Sequence, residues 1–375
     1  MKTAVTEQLG IDFPILAFSH CRDVVAEVSK AGGLGVLGAI TFTPEELEVE
    51  LDWIEKEIGD KPYGVDILLP SREGEIAADA KSVADILPEP QVDFVLRLLA
   101  EHGIEATREE LWGSMRLARE GGVLWSKRSA SLLDVALDHP IKLIASALGS
   151  PTDEMIRRAR EKGIKTAALS GRVDHALRSV ARGVDFIVAQ GTEAGGHTGE
   201  IATMVLVPEI VDAVAPVPVI AAGGIGRGRQ VLAALALGAE GVWCGSVWLT
   251  TEEAETEPAV KEKFLAATSS DTVRTRARTG KPARQLRSAW TDAWDRPGAP
   301  PPLPAPLQGL LSHPPLIRAG KVAQRPGSSA RALTTYFVGQ IVGSMNRVTK
   351  TRQVIYDMMN EYADAIERLS ALSDE

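Results

Sequence analysis

The sequence has 375 residues, 45% of them apolar, with 41 basic against 50 acidic side chains and a formal net charge of −9. That length and apolar share allow one large core, and an acidic balance without a dense basic stripe argues against a nucleic-acid partner. The N-terminal MKTAVTEQLGIDFP lacks the basic start and apolar stretch of a secretory signal, and no run reaches the roughly 18 apolar residues of a membrane span; a soluble, cytoplasmic protein with no membrane partner is expected.

In chain order, short runs rich in Val, Ile, Leu and Ala recur, each ending on Gly or a small polar residue: Pro14–Phe18, Leu34–Ile40, Tyr63–Leu69, Ile141–Leu148, Thr166–Ser170, Asp185–Gln190, Val217–Ala222 and Gly241–Cys244. Such runs read as parallel strands buried on both faces. Between them lie helix signals. Pro44 with Glu45 and Glu46 opens one helix, and Asp153 to Gly163 starts acidic, ends basic and stops on Gly. Val173 to Gly183 and Gly228 to Gly238 repeat that plan. Eight strands alternating with helices predict an α/β fold, a closed (β/α)8 TIM barrel over residues 1–250.

Residues 70–138 interrupt the alternation after the third strand and read as an insertion with its own helices, placed where a lid would form. Beyond the barrel, 251–375 reads as a C-terminal extension packing on it. Glu252 to Ala267 is a predicted helix, PGAPPPLPAP (297–306) an extended stretch that reads as a packed connector before a site for a Pro-recognising partner, and Ala332 to Leu372 an amphipathic helical pair.

In such a barrel the chemistry sits at the C-terminal ends of the strands, and a phosphate site commonly follows strands seven and eight. Here strand seven runs into Gly223 and Gly224, and strand eight into Gly245 and Ser246. Missing side chains let backbone N–H groups approach a phosphate, as a flavin mononucleotide or a sugar phosphate requires. The competing reading of GGIGRG as a dinucleotide fingerprint fails on spacing, and its candidate ribose acid, Glu240, precedes the next strand instead of ending it. After strand six comes QGTEAGGHTG. Gly195 and Gly196 open room for a flat ring, and His197, with an unperturbed pKa of about 6.5, is a candidate base. Glu193 either orients that imidazole or is a solvated turn acid.

The remaining chemistry-bearing residues read as background. Cys21 and Cys244 fit no CxxC, zinc or disulfide spacing and are expected to be reduced and buried. His102, His139, His175 and His313 have no metal-ligand spacing, so no metal is expected. Trp243 and Trp248 read as packing residues, and His20 as a structural hydrogen bonder that could also face the pocket.

AGGLGVLGA (31–39), VAQGTEAGGHTG (188–199), VPVIAAGGIGRGRQVLAALALGAEGVWCGS (217–246) and GKPAR (280–284), taken in that order, resemble the nitronate monooxygenase (2-nitropropane dioxygenase) family. The resemblance implies an FMN-dependent oxidoreductase acting on alkyl nitronates with O2 and needing no nicotinamide. It implies His197 as the catalytic base towards neutral nitroalkanes. Gln190, Gly195 and Gly196 would line the flavin, and Gly223, Gly224, Gly245 and Ser246 would hold its phosphate. The chain departs from the family where LAFSH (16–20) replaces a QAPM-like segment, leaving Ala17, Phe18 and Ser19 to meet the ring through backbone. Asp66 stands where the family has Asn, and an anion there would disfavour a negatively charged reduced flavin.

Three alternatives remain open at this point. They are an NAD(P)H-dependent FMN reductase of quinones or enoyl thioesters, a barrel that binds flavin or a phosphate ligand without turnover, and a phosphate-sugar lyase or isomerase. The last would want Lys or paired carboxylates at the strand ends, which are mostly small and neutral. A homo-oligomer is compatible with all of them.

Overall fold

A computed structural model describes residues 1–67, 83–113, 115, 122–146 and 149–373, with backbone alone for 122–129 and 373. Its strands are β1 (Ile15–Ser19), β2 (Leu34–Gly38), β3 (Tyr63–Ile67), β4 (Leu143–Ser146), β5 (Lys165–Ser170), β6 (Phe186–Gln190), β7 (Gly196–His197), β8 (Val219–Ala222), β9 (Gly241–Cys244), β10 (Thr272–Thr275) and β11 (Ala283–Leu286). Eight of them, β1 to β6 with β8 and β9, close into a parallel barrel, β9 pairing back onto β1 with Ala17 opposite Cys244. All eight expected strands are present. Leu68, Leu69, Ala147 and Leu148, assigned to strands three and four from sequence, lie outside the described residues.

The barrel closes because each strand is apolar on both faces. In β6, Phe186 and Val188 point inward to meet Leu16, Val36 and Ile220, while Ile187 and Ala189 point outward to a layer holding Ile210 and Val231. Burying each such aliphatic side chain is worth about 1.5–3 kcal/mol, and only closure buries both sets without leaving an edge. The surrounding helices start and stop where local chemistry dictates. Thr43 and Glu46 form a reciprocal capping box for Pro44–Ile58, and Gly59, at φ 60°, ends it.

Two expectations are corrected. The insertion does not extend to Asp138, because the helix Gly122–Asp138 supplies Leu132, Leu133, Ala136 and Leu137 to the layer between Pro44–Ile58 and the outer face of β3. A barrel strand needs a covering helix, and this one covers the β3–β4 step. The second concerns the C-terminal region. The expected helix from Glu252 begins only at Pro258, and Ala332 to Leu372 is not a helical pair: two 3-10 turns, Ser329–Leu333 and Gln340–Ser344, precede one long helix, Thr351–Ser373. That helix packs against Gly228–Ala236, placing Val354, Ile355 and Met358 in the outer core.

The described part of the insertion and the C-terminal region share a second apolar core. Val92, Val95, Leu99 and Trp112 meet Trp290, Leu303, Leu311 and Leu333 there, with Trp112 Nε1 donating to the Leu311 carbonyl at 3.3 Å. Within the Pro-rich run, Leu303 is buried, as a packed connector requires.

Candidate active site

Strand alternation decides which side chains enter the barrel mouth. Tyr63, Val65 and Ile67 face the outer layer, so Asp66, 4% exposed, faces inward; by the same logic Gln190 follows Phe186 and Val188 inward. Phe18 lies inside, stacked on Trp243 with ring centroids 6.4 Å apart and meeting His20 edge-on at 5.1 Å. Ala17 faces the outer layer and Ser19 alternates with Phe18, its Oγ accepting from the Cys21 N–H at 3.1 Å. For these two residues only backbone is available to a ligand in the mouth.

His20 Nδ1 lies 2.9 Å from the Gly38 carbonyl. Burial pushes its pKa down despite that bond, and glycine is required at 38 because a Cβ would lie 2.7 Å from the imidazole. The structural reading of His20 thus has a definite partner. Trp248, 1% exposed, donates from Nε1 to the Cys244 carbonyl, which makes it a packing residue. Both cysteines are free and buried.

The two glycine-rich rims are neighbours in space. Ala222 of β8 pairs with Trp243 of β9, so Gly223–Gly224 and Gly245–Ser246 emerge side by side. Gly223 and Gly224 have φ of 109° and 68°. Both lie at the rim of the barrel near the start of the helix Gly228–Ala236, in a cradle whose lining also includes Glu193, Gln340 and Ile341. Ser246 Oγ accepts from the Gly339 N–H at 2.8 Å, which leaves its own hydrogen to donate elsewhere.

His197 is placed by a contact distant in sequence. The two-residue β7 pairs with β11, His197 opposite Ala283 and Gly196 opposite Arg284, and β11 pairs with β10. The His197 Nδ1 lies 3.3 Å from the Pro282 carbonyl. A carbonyl only accepts, so Nδ1 carries the proton and Nε2 the lone pair. Burial lowers the imidazole pKa below its ordinary 6.5; the Pro282 bond opposes this and the nearby Lys281 ammonium adds to it. The ring is therefore neutral at pH 7. Phe337 flanks it at 6.2 Å between centroids, and Gly196, at φ 77°, has open space where a Cβ would be.

Glu193 corrects both readings offered from sequence. Its carboxylate accepts from the Thr203 N–H at 2.9 Å and from Thr203 Oγ1 at 2.8 Å, holding the first turn of Thr203–Val214. Its carbonyl accepts from the Gln340 N–H at 2.9 Å. Gly195 and Gly339 allow that approach, since a Cβ on Gly195 would lie 2.9 Å from the Gly339 nitrogen.

Sequence reasoning gave no task to Arg284, Thr203 or Phe337. Arg284 is 9% exposed and donates from Nε to the Thr192 carbonyl at 2.8 Å, tying GKPAR to the loop after β6; the motif itself was the one signal that could have found it. Folding also gathers two groups whose donor atoms lie within 4.8 Å of one another, Cys21 with Asp23 and Glu255, and Glu48 with Asp52 and His139. Sequence spacing had offered His139 no such company.

A closed parallel barrel with glycine-rich rims after β8 and β9 and a buried imidazole on the loop after β6 is the architecture of a barrel oxidoreductase. A family model described as nitronate monooxygenase matches residues 2–361. The chain belongs to the nitronate monooxygenase family, whose members are flavin-dependent oxidoreductases. It is 58% identical, over 99% of both chains, to a Mycobacterium tuberculosis protein named provisionally as a monooxygenase. Among solved structures it resembles nitroalkane oxidase from Streptomyces ansochromogenes, with a TM-score of 0.79 and 27% identity over 98% of this chain and 100% of that one. It also resembles FabK from Thermotoga maritima, with a TM-score of 0.71 and 26% identity over 99% of each.

Proposed function

We propose that this chain is an FMN-dependent monooxygenase that oxidises alkyl nitronates with O2, with His197 as the base that admits neutral nitroalkanes. The observation that carries the proposal is the neutral imidazole held through Nδ1, with its Nε2 lone pair available, on the loop after β6, the strand that neighbours β8 and its rim glycines. Bound FMN would supply the electron acceptor. Gly223, Gly224, Gly245 and Ser246 would hold its phosphate, and Gln190, Gly195 and Gly196 would border its ring, with the backbone of Ala17, Phe18 and Ser19 beneath.

The protein's own part is proton transfer and positioning. His197 Nε2 takes the α-proton of a neutral nitroalkane; the Pro282 carbonyl keeps the opposite nitrogen protonated and so keeps Nε2 the acceptor. A substrate that arrives already ionised bypasses this step. Lys281, close enough to depress the imidazole pKa, also favours the anion that proton removal creates.

The test is the absorption spectrum of the purified, FMN-loaded protein before and after anaerobic addition of ethyl nitronate. Bleaching by the nitronate and recovery on admitting air are expected. Protein that takes up no FMN, or flavin bleached by NADH or NADPH and untouched by nitronate, sinks the proposal; the second result would favour the reductase reading, which the likeness to FabK keeps in view.

A further inference from the structure

The end of the barrel away from the mouth carries a cluster of donor atoms that the chemistry above does not use. On the helix Pro44–Ile58, Glu48, Asp52 and Glu55 recur at spacings of four and three and so share one face. That face meets His139, which follows the helix Gly122–Asp138 and precedes β4, beside Tyr63, the first residue of β3. The ligand atoms of Glu48, Asp52 and His139 all lie within 4.8 Å of one another. Glu48 and Asp52 are exposed, and neither has a Lys or Arg within salt-bridge distance among the described residues.

The imidazole is unlike these exposed acids: its side chain is only 7% exposed and is oriented from its far side. His139 Nδ1 lies 2.7 Å from Glu55 Oε1, and the same oxygen accepts from the Tyr63 hydroxyl at 2.7 Å. A carboxylate accepts, so Nδ1 carries the ring proton and Nε2 is turned towards the cluster. There Nε2 makes no hydrogen bond among the described residues, and it lies 3.4 Å from Glu48 Oε2. Two atoms bound to one zinc at about 2.0–2.1 Å in tetrahedral directions are about 3.3 Å apart, so this pair already has the separation of two ligands. Glu55 and His139 match the carboxylate–histidine–metal arrangement, in which the outer carboxylate fixes the tautomer and raises the basicity of the ligating nitrogen. The alternative occupant of Nε2 is a second proton. It would offset one negative charge among the three carboxylates, whereas a divalent cation offsets two.

We propose that Glu48, Asp52 and His139 Nε2 bind a divalent transition-metal ion of the zinc class, with Glu55 as the outer carboxylate and water completing the shell. An imidazole with two carboxylates suits zinc and its neighbours in the first transition row better than calcium or magnesium, which prefer oxygen ligands alone. The ion ties the helix Pro44–Ile58 to the segment that leads into β4. It is a clamp at the end of the barrel opposite the rim glycines and takes no part in proton transfer at His197. The spacing of His139 in the sequence carries no sign of it, because its partners lie on a different helix.

Full-length protein, stripped with EDTA and returned to metal-free buffer, is titrated with zinc chloride by calorimetry and melted with and without zinc. One zinc per chain is expected, and melting should rise by about 3 °C at a hundredfold excess of free zinc over Kd. Asp52→Asn, at an exposed position that folding tolerates, and His139→Asn should each weaken binding by about tenfold or more and remove the thermal shift. Glu55→Gln, which leaves all three ligands in place, should weaken it by about 10–100-fold. Cys21→Ser should change nothing, since Cys21 belongs to the other donor group, with Asp23 and Glu255. Wild-type protein that binds zinc no more tightly than Asp52→Asn overturns the site and makes Nε2 the bearer of a second proton in a plain ion pair. Zinc lost in Cys21→Ser and kept in Asp52→Asn also overturns it, by placing the ion at the other group. A Glu55→Gln variant with wild-type affinity overturns the part given to the outer carboxylate.

Discussion

The Pro282 carbonyl fixes the tautomer of His197 and burial fixes its charge. With Nδ1 tied to the Pro282 carbonyl and burial lowering its pKa, the basic form is populated throughout the neutral range. The rate on a neutral nitroalkane should be flat around pH 7 and fall only as acid protonates the ring, below pH 6.5. His197→Gln should reduce that rate by about 100-fold or more, and oxidation of preformed nitronate far less. Parallel pH profiles for the two substrate forms check this; equal losses on both would mean the imidazole binds substrate instead of moving its proton. The sequence marked His197 by its place in a glycine-rich loop. It could not mark the carbonyl that orients it, because Pro282 meets it only in three dimensions.

At the scale of elements, the rim is held by contacts between segments that look like plain loops and helices in the sequence. Glu193 anchors the first turn of Thr203–Val214 through two hydrogen bonds, so Glu193→Ala should cost about 1–2 kcal/mol and loosen the Gly223–Gly224 cradle behind it. Thermal melts, with FMN retention on dialysis, measure both effects. The helix Thr351–Ser373 is fixed similarly: Glu361 accepts from Arg227 at 2.7 Å, Arg229 at 2.6 Å and the Gly228 N–H at 2.8 Å. Burial alone would raise the Glu361 pKa, but these bonds outweigh it and hold the carboxyl below its ordinary 4.5. A depressed carboxyl contributes stability above its unfolded pKa and loses it as pH falls through the folded one. Docking of this helix should therefore weaken from about pH 4.5 downward, and Glu361→Gln should flatten that acid limb in denaturant titrations. Gly228 is required at the crossing, since a Cβ would collide with the Met358 carbonyl.

At the scale of the whole molecule, the second core, shared by the insertion and the C-terminal region, reaches through Ala277 the hairpin whose second strand pairs with the one carrying His197. Trp112, Trp290 and Trp294 lie in that second core, while Trp243 and Trp248 lie in the barrel. As guanidinium is raised, turnover should fail with the tryptophan emission change of the second core, at or before the loss of far-ultraviolet helical signal. Activity outlasting that emission change would show that β7 keeps His197 in place unaided. The sequence by itself determined the barrel, because eight strands apolar on both faces have one economical way to be covered, and periodicity records burial locally. It also determined the rim glycines and His197, which sit at fixed offsets from strand ends. Only the tertiary structure decided that Gly122–Asp138 belongs to the barrel, that Glu193 holds a helix, and that the hairpin of β10 and β11 meets His197 through Pro282 and Ala283. Those outcomes depend on pairing between distant segments, and a two-residue strand such as β7 leaves no periodic trace from which its partner can be read.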